Sequence, residues 1–359
     1  MKKYVLLLAL CLALLSGCGG GRSISGEVVE VHGGGAEGAF TLVVRTEDGE
    51  EAGVLMTEET SVLSWVKGFD EKAYQGEPRV GAMLTAKCGR GGQSLTTEAG
   101  RALTAYPASE VEITGVLLPE AEVLADGTRV NVWGISSGTA YKLEDGTELL
   151  REREPSGPAN VYVGGVESFD DLGAAAQERV LAYYKAQGLL YDIREELEQA
   201  YADYLGDREA FASHLVSQDI SPTASNGRMM YFLTSVTLPL GGRVVYETRL
   251  GAAFDRETGE ALSNWTLFNC PEEEVKGRLL DLAGVDGSTL RAEMEAAFRP
   301  EYIILFPGNL EISFPRGALP SQEGGYMLAL DYDGALRELL QPWAVPSRRN
   351  PRPSEGCAS

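Results

Sequence analysis

The stretch from Gly251 to Phe268 reads GAAFDRETGEALSNWTLF, and its pattern predicts a strand, a tight turn and a second extended segment. Asp255 and Thr258 flank the turn, because short polar side chains hydrogen-bond readily to nearby backbone N–H groups. Gly259 stands where the chain tolerates a positive φ, which glycine adopts without steric cost. The apolar residues around the turn are expected in a core: Phe254, Leu262 and Phe268.

The sequence on both sides of this turn predicts a domain with both helices and strands. Strands are indicated by β-branched and aromatic residues bounded by glycine turns, and helices by apolar residues at spacings of three and four. The helix at Pro271–Gly284 has Pro and acidic residues in its first turn and Gly at its end. The predicted elements are, in order, helices within 168–205, strands within 228–262, helices at 271–284 and 288–298, strands within 302–314, and a strand with a short helix in 325–343.

The order of these elements resembles the extracytoplasmic C-terminal domain of lysozyme-sensing anti-sigma factors and of some peptidoglycan-deacetylase proteins. That family shows a segment FD-x-x-TG-x-x-L-x-x-x-x-LF, followed by a hairpin strand in which apolar residues alternate after a glycine. The resemblance covers about Ser168 to Pro346, half of the chain. The matching residues are Phe254, Asp255, Thr258, Gly259, Leu262, Leu267 and Phe268, and then Gly308, Leu310, Ile312 and Phe314.

This resemblance implies an α+β fold over residues 168–345, with a mainly antiparallel sheet and helices on one side. The matching residues are structural, so they indicate a fold and no reaction. In place of the transmembrane helix and cytoplasmic segment of the sensors we expect a lipid anchor in this chain, and we expect no deacetylase domain. A signalling or deacetylase role is therefore not carried over. What the resemblance implies is binding of an extracellular partner, either a basic protein or a cell-wall glycan.

The first part of the chain predicts a small β-barrel over residues 26–110. Short strands alternate with turns, including a hairpin at Asp48-Gly49, and helical patterns are scarce. The strand order resembles an oligonucleotide/oligosaccharide-binding (OB) barrel, a likeness that covers about 85 residues and has no invariant motif. Further short strands predict a strand-rich connector over 111–167, in which the charged, Pro-rich stretch Arg151–Pro158 is a linker or an exposed loop.

The N-terminus predicts an export signal rather than a membrane span. Lys2 and Lys3 precede the apolar run Val5–Leu15, which would rise about 16 Å as a helix, against a hydrocarbon core of about 30 Å. Leu15-Ser16-Gly17-Cys18 then resembles the lipobox of bacterial lipoproteins, in which the cysteine is acylated and becomes the first residue. Two or three acyl chains hold a protein firmly at a membrane. We therefore expect a signal peptide at 1–17, lipidation at Cys18 and a flexible tether at 18–25.

Three cysteines remain once Cys11 in the signal peptide and the lipidated Cys18 are set aside. They are Cys88, Cys270 and Cys357, and an odd number in an exported protein allows one bridge and one free thiol. A Cys88–Cys270 disulfide would link the two predicted domains, although nothing in the sequence sets the distance between them. No Cys-x-x-Cys motif or Cys/His cluster occurs, so we expect no metal site and no cofactor.

Charge and composition argue against nucleic-acid binding and against most hydrolytic mechanisms. The chain has 31 Lys and Arg against 53 Asp and Glu, a net charge of -22 that repels phosphate backbones and favours cationic partners. Its two histidines, His32 and His214, leave few general bases. Ser213 and His214 are adjacent, and neighbouring side chains rarely face each other as a nucleophile and base must. No spacing among the acidic residues indicates a glycosidase pair.

These observations predict a non-catalytic binding or sensing lipoprotein on the outer face of the cytoplasmic membrane. Its expected partner is a basic protein or a cell-wall glycan. Two alternatives stay open: a cell-wall-active hydrolase that uses carboxylates, or a structural component of an envelope complex. The polar, Pro-rich tail at 346–359 is expected to be mobile.

Overall fold

The computed structural model describes residues 21–33, 39–64, 66, 80–136, 138–240, 243–287 and 289–347, without the side chains of 238–240 and 243–247. The fold is mixed α and β, with strands predominating, and it divides into two compact units between Arg151 and Glu152. No helix in the described ranges is both long and apolar enough to cross a membrane. The predicted signal peptide, Cys18, Cys357 and nearly all of the tail lie outside the described residues.

The first unit consists of strands joined by tight turns. The predicted hairpin turn at Asp48-Gly49 is confirmed, and Gly49 has a φ of 80°. Two further Asp-Gly pairs, at Gly127 and Gly146, also form turns in which the glycine φ is 89°. The strands are β1 Arg22–Gly33, β2 Phe40–Arg45, β3 Glu51–Met56, β4 Ser61–Ser64, β5 Ala82–Cys88, β6 Gln93–Thr96, β7 Ala102–Val123, β8 Arg129–Ile135, β9 Gly138–Lys142 and β10 Glu148–Arg153.

Five of these strands pair in a cycle. β1 pairs with β2 and β2 with β3 in antiparallel fashion, and β3 pairs in parallel with β7. β7 then pairs antiparallel with β5, and β5 with β1, so the pairing returns to its starting strand. Alternate residues point inward, as the period of two requires. The core so formed includes Val28, Leu42, Val44, Val54, Leu84, Ala86, Val111 and Ile113.

The flexible tether ends earlier than the sequence predicts. β1 begins at Arg22, and its residues up to Ser25 pair with β5 in the register Arg22↔Cys88 to Ser25↔Thr85. Ile24 is buried in the core, which fixes this part of the strand in place. The assignment of residues 22–25 to a tether is therefore wrong, since these residues pair with β5 and Ile24 is buried.

The predicted boundary at residue 110 is also wrong. β7 runs without interruption from Ala102 to Val123, so its second half continues past the predicted end of the barrel and pairs with β8. β8, β9 and β10 lie within the segment 111–167 that was predicted to be rich in strands, and they join the sheet in chain order after β7. The unit ends near Arg151, where the charged stretch Arg151–Pro158 begins.

The second unit contains helices and two sheets. Its described helices are α1 Ala174–Gln187, α2 Ile193–Gly206, α3 Glu272–Leu282, α4 Thr289–Ala297 and α5 Gly334–Leu339. One antiparallel sheet contains β11 His214–Ser225, β12 Met229–Leu240, β13 Arg243–Asp255 and β14 Ala261–Leu262. A second contains β15 Ile303–Leu305, β16 Asn309–Phe314 and β17 Tyr326–Asp331.

The sheet of β11–β14 is covered on both faces, so the expectation of helices on one side is wrong. Met230 and Phe232 of β12 pack in one apolar cluster with residues of α1. Met229 and Tyr231, which point the other way, pack in a second cluster with residues of α3, α4, α5 and the smaller sheet. A run of large apolar residues with no polar alternation is typical of a strand buried on both faces.

The turn at Asp255 has the structure predicted for it. The Asp255 carboxylate accepts hydrogen bonds from the backbone N–H and the hydroxyl of Thr258, at 2.9 and 3.1 Å. Gly259 has a φ of 71°, and a Cβ there would lie 2.4 Å from the carbonyl oxygen of Ala176 in α1. Position 259 therefore requires glycine for two reasons, the positive φ and the close approach of the α1 backbone. Phe254 and Phe268 are buried, as expected.

Candidate functional site

A small pocket of about 200 Å³ lies on the second unit, beside β13. Its walls come from α1, β13, β14 and two 3₁₀ turns, at Asn264–Leu267 and Pro300–Tyr302. Small and apolar residues of β13 and β14 form much of the surface. The side chains that bring polar groups are Tyr183, Ser263, Asn264 and Glu301.

The pocket exists because the second 3₁₀ turn approaches β13 very closely. A Cβ at Gly251 would lie 2.1 Å from the carbonyl oxygen of Ile303, closer than two such atoms can approach. A glycine at this point of β13 therefore lets the backbone of the turn lie against the strand. The approach places Glu301 at the rim of the pocket.

Asn264 links the two segments that form the pocket. It is 4% exposed, and its amide nitrogen lies 3.2, 3.0 and 2.9 Å from the carbonyl oxygens of Gly251, Pro300 and Ile303. Two N–H groups thus serve three carbonyls from two distant segments, β13 and the 300–303 turn. Because both N–H groups are used on the backbone, the amide oxygen is the group that Asn264 can offer to a ligand.

Tyr183 forms the aromatic wall. Its ring makes edge-to-face contacts with Tyr184 and Phe254, with centroids 5.1 Å apart in each case, so the ring orientation is fixed by the core beneath it. Burial, and after it the charge of Glu301, raises the pKa of the Tyr183 phenol. The hydroxyl is therefore protonated at neutral pH and can both donate and accept a hydrogen bond.

Glu301 supplies the charge. It is half-buried and makes no ion pair or hydrogen bond with any described residue, and no lysine or arginine lines the pocket. An uncompensated carboxylate in a partly desolvated setting favours a cation. Together with the phenol and the amide oxygen, it forms an acceptor-rich recess suited to a group that carries several N–H donors.

This pocket does not contain the pair of carboxylates that glycoside hydrolysis uses. A pair of carboxylates is needed for glycoside hydrolysis, and Glu301 is the one carboxylate among the lining residues. The volume is below the roughly 300 Å³ at which pockets for drug-sized ligands begin. The pocket can therefore accept the end of one side chain or a comparable small group.

Ser213 and His214 do not form a nucleophile–base pair. The Ser213 hydroxyl donates to the backbone carbonyl of His214, at 3.5 Å. His214 is buried, with Nε2 at 3.2 Å from Asp203 Oδ2 and with Nδ1 lacking any hydrogen-bond partner among the described residues. The ring packs against Phe211, with centroids 5.7 Å apart. This histidine is a packed residue of the α2–β11 contact.

The environment of His214 has a consequence for stability. Burial lowers its pKa below the ordinary value of 6.5, and the nearby Asp203 opposes this only in part. The unfolded chain therefore takes up the proton first as the pH falls. The stability that neutral His214 contributes is complete above pH 6.5 and is lost as the pH falls through the folded-state pKa.

Both described cysteines are free thiols. Cys88 is 2% exposed and points into the core of the first unit, and burial raises its pKa. Cys270 is half-buried, and burial together with the charge of Glu274 raises its pKa. The Cys88–Cys270 disulfide, which would join the two units, stays a prediction. Within the described ranges no group of three or more His, Cys, Asp or Glu is placed to hold a metal ion.

Sequence reasoning did not single out this pocket. Tyr183 belongs to a group of tyrosines at helical spacing, and one of them, Tyr184, is buried in the core. Asn264 lies between two residues of the FD-x-x-TG segment, but its amide could not be told from any surface amide. Glu301 is one of 53 acidic residues, and no local pattern distinguishes it.

Comparison with known proteins gives structural neighbours of low similarity. No family model and no curated protein matches the chain. A DUF3298 family protein from Pseudomonas aeruginosa PAO1 is 17% identical, with a TM-score of 0.29, over 66% of this chain and 94% of its own. A member of the same family from Bacteroides fragilis NCTC 9343 is 11% identical, with a TM-score of 0.30, over 63% and 92%. A mitochondrial single-stranded DNA-binding protein from S. cerevisiae is 11% identical, with a TM-score of 0.16, over 26% and 90%.

Structural neighbours of this chain therefore include proteins of the DUF3298 family, a family named as a domain of unknown function. The TM-scores all lie below 0.5. Any functional conclusion has to come from the residues of this chain.

Proposed function

We propose that this chain is a lipid-anchored, extracytoplasmic binding protein without catalytic activity, and that its second unit captures a cationic side chain of a basic protein. The observation that carries the proposal is the unpaired Glu301 in a recess whose other polar groups are acceptors or neutral. The lipobox at Cys18 and the resemblance of residues 168–346 to an extracytoplasmic domain support the location.

The size and charge of the pocket favour a lysine or arginine end over a glycan. A recess of about 200 Å³ holds an ammonium or guanidinium group with its last methylenes. A guanidinium could also lie over the Tyr183 ring, an arrangement worth about 0.5–2 kcal/mol. The net charge of -22 would steer a basic protein to this chain at long range. A cell-wall glycan would have to present an amino group to use the same carboxylate.

We also propose that the strand cycle of the first unit is a small barrel of the OB type. The support is the pairing itself: β1, β2, β3, β7 and β5 close on one another, with the parallel pair between β3 and β7. Its role here would be to carry the second unit at the membrane rather than to bind nucleic acid. The acidic character of the chain supports this reading.

The binding proposal is tested with lysozyme as a basic protein probe, titrated into the full chain. Glu301→Gln removes the charge and keeps the shape, so we expect affinity to fall at least tenfold, which corresponds to about 1.4 kcal/mol. Glu260→Gln is the matched control, because Glu260 is exposed on the same unit and does not line this pocket. Equal affinities for the two variants would contradict the site.

Two further experiments separate the alternatives. Cys18→Ala should release the protein from membranes, and unchanged retention would argue against the lipid anchor. Incubation of the protein with peptidoglycan should release no fragments, whereas turnover would favour the hydrolase reading over binding alone.

A further inference from the structure

The smaller sheet of the second unit ends in a strand whose outer edge is unpaired. β17 is the last strand in the order β15-β16-β17, and it pairs with no other described strand. Its sequence, YMLALD, contains no proline or lysine, and its register with β16 runs through six consecutive pairs without a bulge. Its one charged residue, Asp331, is the last. Proteins usually protect an edge strand with prolines, charges or bulges, because its free N–H and C=O groups attract another strand.

The hydrogen-bond pattern shows which backbone groups of β17 point outward. The Phe306 N–H donates to the Asn309 carbonyl where β15 turns into β16, so Asn309 and every second residue after it bond to β15. The β16 residues between them bond to β17, and their partners are Tyr326, Leu328 and Leu330. The backbone groups that point away from the sheet belong to the other three residues of β17, which are Met327, Ala329 and Asp331.

Most of these outward groups have no partner among the described residues. The exception is the Asp331 carbonyl, which accepts from the N–H of Asp333 at 2.7 Å. The side chains of the same three residues are exposed, and Met327 is 52% exposed although it is large and apolar. On the inner face, Tyr326 and Leu328 are only half-buried. The edge therefore offers backbone donors and acceptors together with apolar surface.

A second copy of β17 fits this edge when it runs antiparallel about a two-fold axis at Ala329. Ala329 then faces its own symmetry mate, and Met327 faces Asp331 of the other copy. All three have outward backbone groups, so each of these pairs can exchange hydrogen bonds. The methyl group of Ala329 leaves room for both chains at the axis. On the inner face the pairing brings Leu328 beside Leu330 of the other copy, which covers the half-buried side chain.

Charge favours the same register. The Arg249 guanidinium lies against Met327, with Nη1 at 3.1 Å from Sδ, and its Nη2 lies 3.0 Å from Glu311. Residues that face each other in an antiparallel pair lie on one face of the sheet, so Asp331 of the second copy arrives beside Met327 and Arg249. Symmetry repeats this contact. The two Asp331 carboxylates are four residues apart along the strands, about 13 Å, which exceeds the Debye length of about 8 Å.

We infer that the β17 edge is a self-association surface, at which two copies of this chain join their smaller sheets into one six-stranded sheet. The contact is isologous, so it closes at a dimer and leaves no unpaired edge at β17. The inference goes beyond the proposed function and depends neither on the lipid anchor nor on Glu301.

Net charge and contact size set the strength of the dimer. Two chains that each carry a net charge of -22 repel each other at long range. A contact along one strand edge is also smaller than the roughly 1,600 Å² of a standard protein interface. We therefore expect weak association, with a dissociation constant of about 10–100 µM.

Sedimentation equilibrium of the full chain, in a detergent matched in density to the solvent, tests the inference from about 5 to about 300 µM. The wild-type chain should pass from monomer to dimer over this range. Ala329→Lys places like charges directly opposite each other in the dimer, so the dissociation constant should rise at least tenfold. In the monomer the lysine is exposed and faces Glu311 of β16. Asp331→Asn, which removes both contacts with Arg249, should raise the constant about fivefold.

Ala202→Lys is the matched control, because Ala202 is exposed on α2 of the same unit; it should keep the wild-type dissociation constant. Residue-resolved hydrogen exchange gives an independent readout. The Ala329 N–H should be protected only at high chain concentration. The N–H groups of Leu328 and Leu330, which bond to β16, should be equally protected in the wild type and in Ala329→Lys, which shows that the sheet is intact.

A chain that stays monomeric at about 300 µM overturns the inference, and so does a dimer that an intact Ala329→Lys variant leaves unchanged. Protection of the Ala329 N–H that does not vary with concentration would show that another part of the same chain covers the edge, which also overturns the inference. If Leu328 and Leu330 lose protection in Ala329→Lys, the Asp331→Asn variant decides, and an unchanged dissociation constant there overturns the proposed pairing.

Discussion

Replacing Asn264 with alanine tests whether the candidate pocket depends on one buried amide. The variant removes the donor that joins β13 to the 300–303 turn, and it leaves the carbonyl oxygens of Gly251, Pro300 and Ile303 without that partner. The turn carries Glu301, so the loss should loosen the pocket before it unfolds the unit.

The size of the effect follows from the hydrogen bonds. Two N–H groups serve three carbonyls, and each bond contributes about 1 kcal/mol net. The carbonyl groups left without a donor are buried, so their desolvation cost adds to the loss of the two N–H donors. The expected loss of stability for this contact is therefore about 3 kcal/mol. That corresponds to roughly a 150-fold rise in the opening equilibrium of this contact. A folded domain of ordinary stability tolerates a loss of this size.

Native-state hydrogen exchange measures this opening directly. Peptides covering residues 261–268 and 300–305 should exchange about 150-fold faster in Asn264→Ala, because local opening free energies set exchange rates. Asn269→Ala is the control, because Asn269 is exposed and donates to the single carbonyl of Glu338. It should change exchange by less than about tenfold. An increase below fivefold in Asn264→Ala would show that the amide does not hold the turn, and the account of the pocket would be wrong.

Three other perturbations probe separate contacts. Gly251→Ala should destabilise the second unit by about 1–3 kcal/mol in urea unfolding, because its Cβ would lie 2.1 Å from a carbonyl oxygen. Gly308→Ala, which meets nothing within 4 Å, is the control, and equal losses would contradict the argument. The free energy of unfolding should fall as the pH drops below 6.5 towards the lowered pKa of His214. His214→Gln should flatten this pH dependence, and an unchanged slope in the variant would contradict the role assigned to His214. A thiol reagent should modify Cys270 in the native protein and Cys88 only after unfolding, whereas two unreactive thiols in the unfolded, unreduced protein would indicate a bridge.

Local chemistry explains what the sequence could predict. The turn at Asp255 needs a short acceptor, a hydroxyl and a glycine within five residues, and each requirement is visible in the sequence. The hairpin at Asp48-Gly49 was predictable for a similar reason, because Gly49 supplies the positive φ of its turn. Such turns depend on residues a few positions apart.

The coverage of a sheet is harder to predict from sequence. The run at Met229–Leu233 shows that β12 is apolar. The same run is compatible with a strand that is covered on one face and with a strand that is buried between two layers. The structure decides, because consecutive residues of this strand enter different clusters. The start of β1 was missed for a related reason, since its partner β5 lies more than 60 residues away.

The candidate pocket depends on contacts that no local pattern records. The Asn264 side chain donates to the carbonyl oxygen of Ile303, which lies 39 residues further along the chain. Gly251 packs against the same carbonyl oxygen and is also distant from it in the sequence. In the sequence alone, Gly251 and Asn264 could each stand where they do for many reasons that have nothing to do with a pocket. Their meaning appears only when the 300–303 turn lies against β13. The motif that fixes the fold thus also contains the residue that builds the site, because Asn264 stands two residues after Leu262 and three before Leu267 within the FD-x-x-TG segment. Substitutions that keep the motif but change Asn264 should therefore keep the fold of β13 and its turn while altering the pocket, which separates the structural role of the segment from its part in binding.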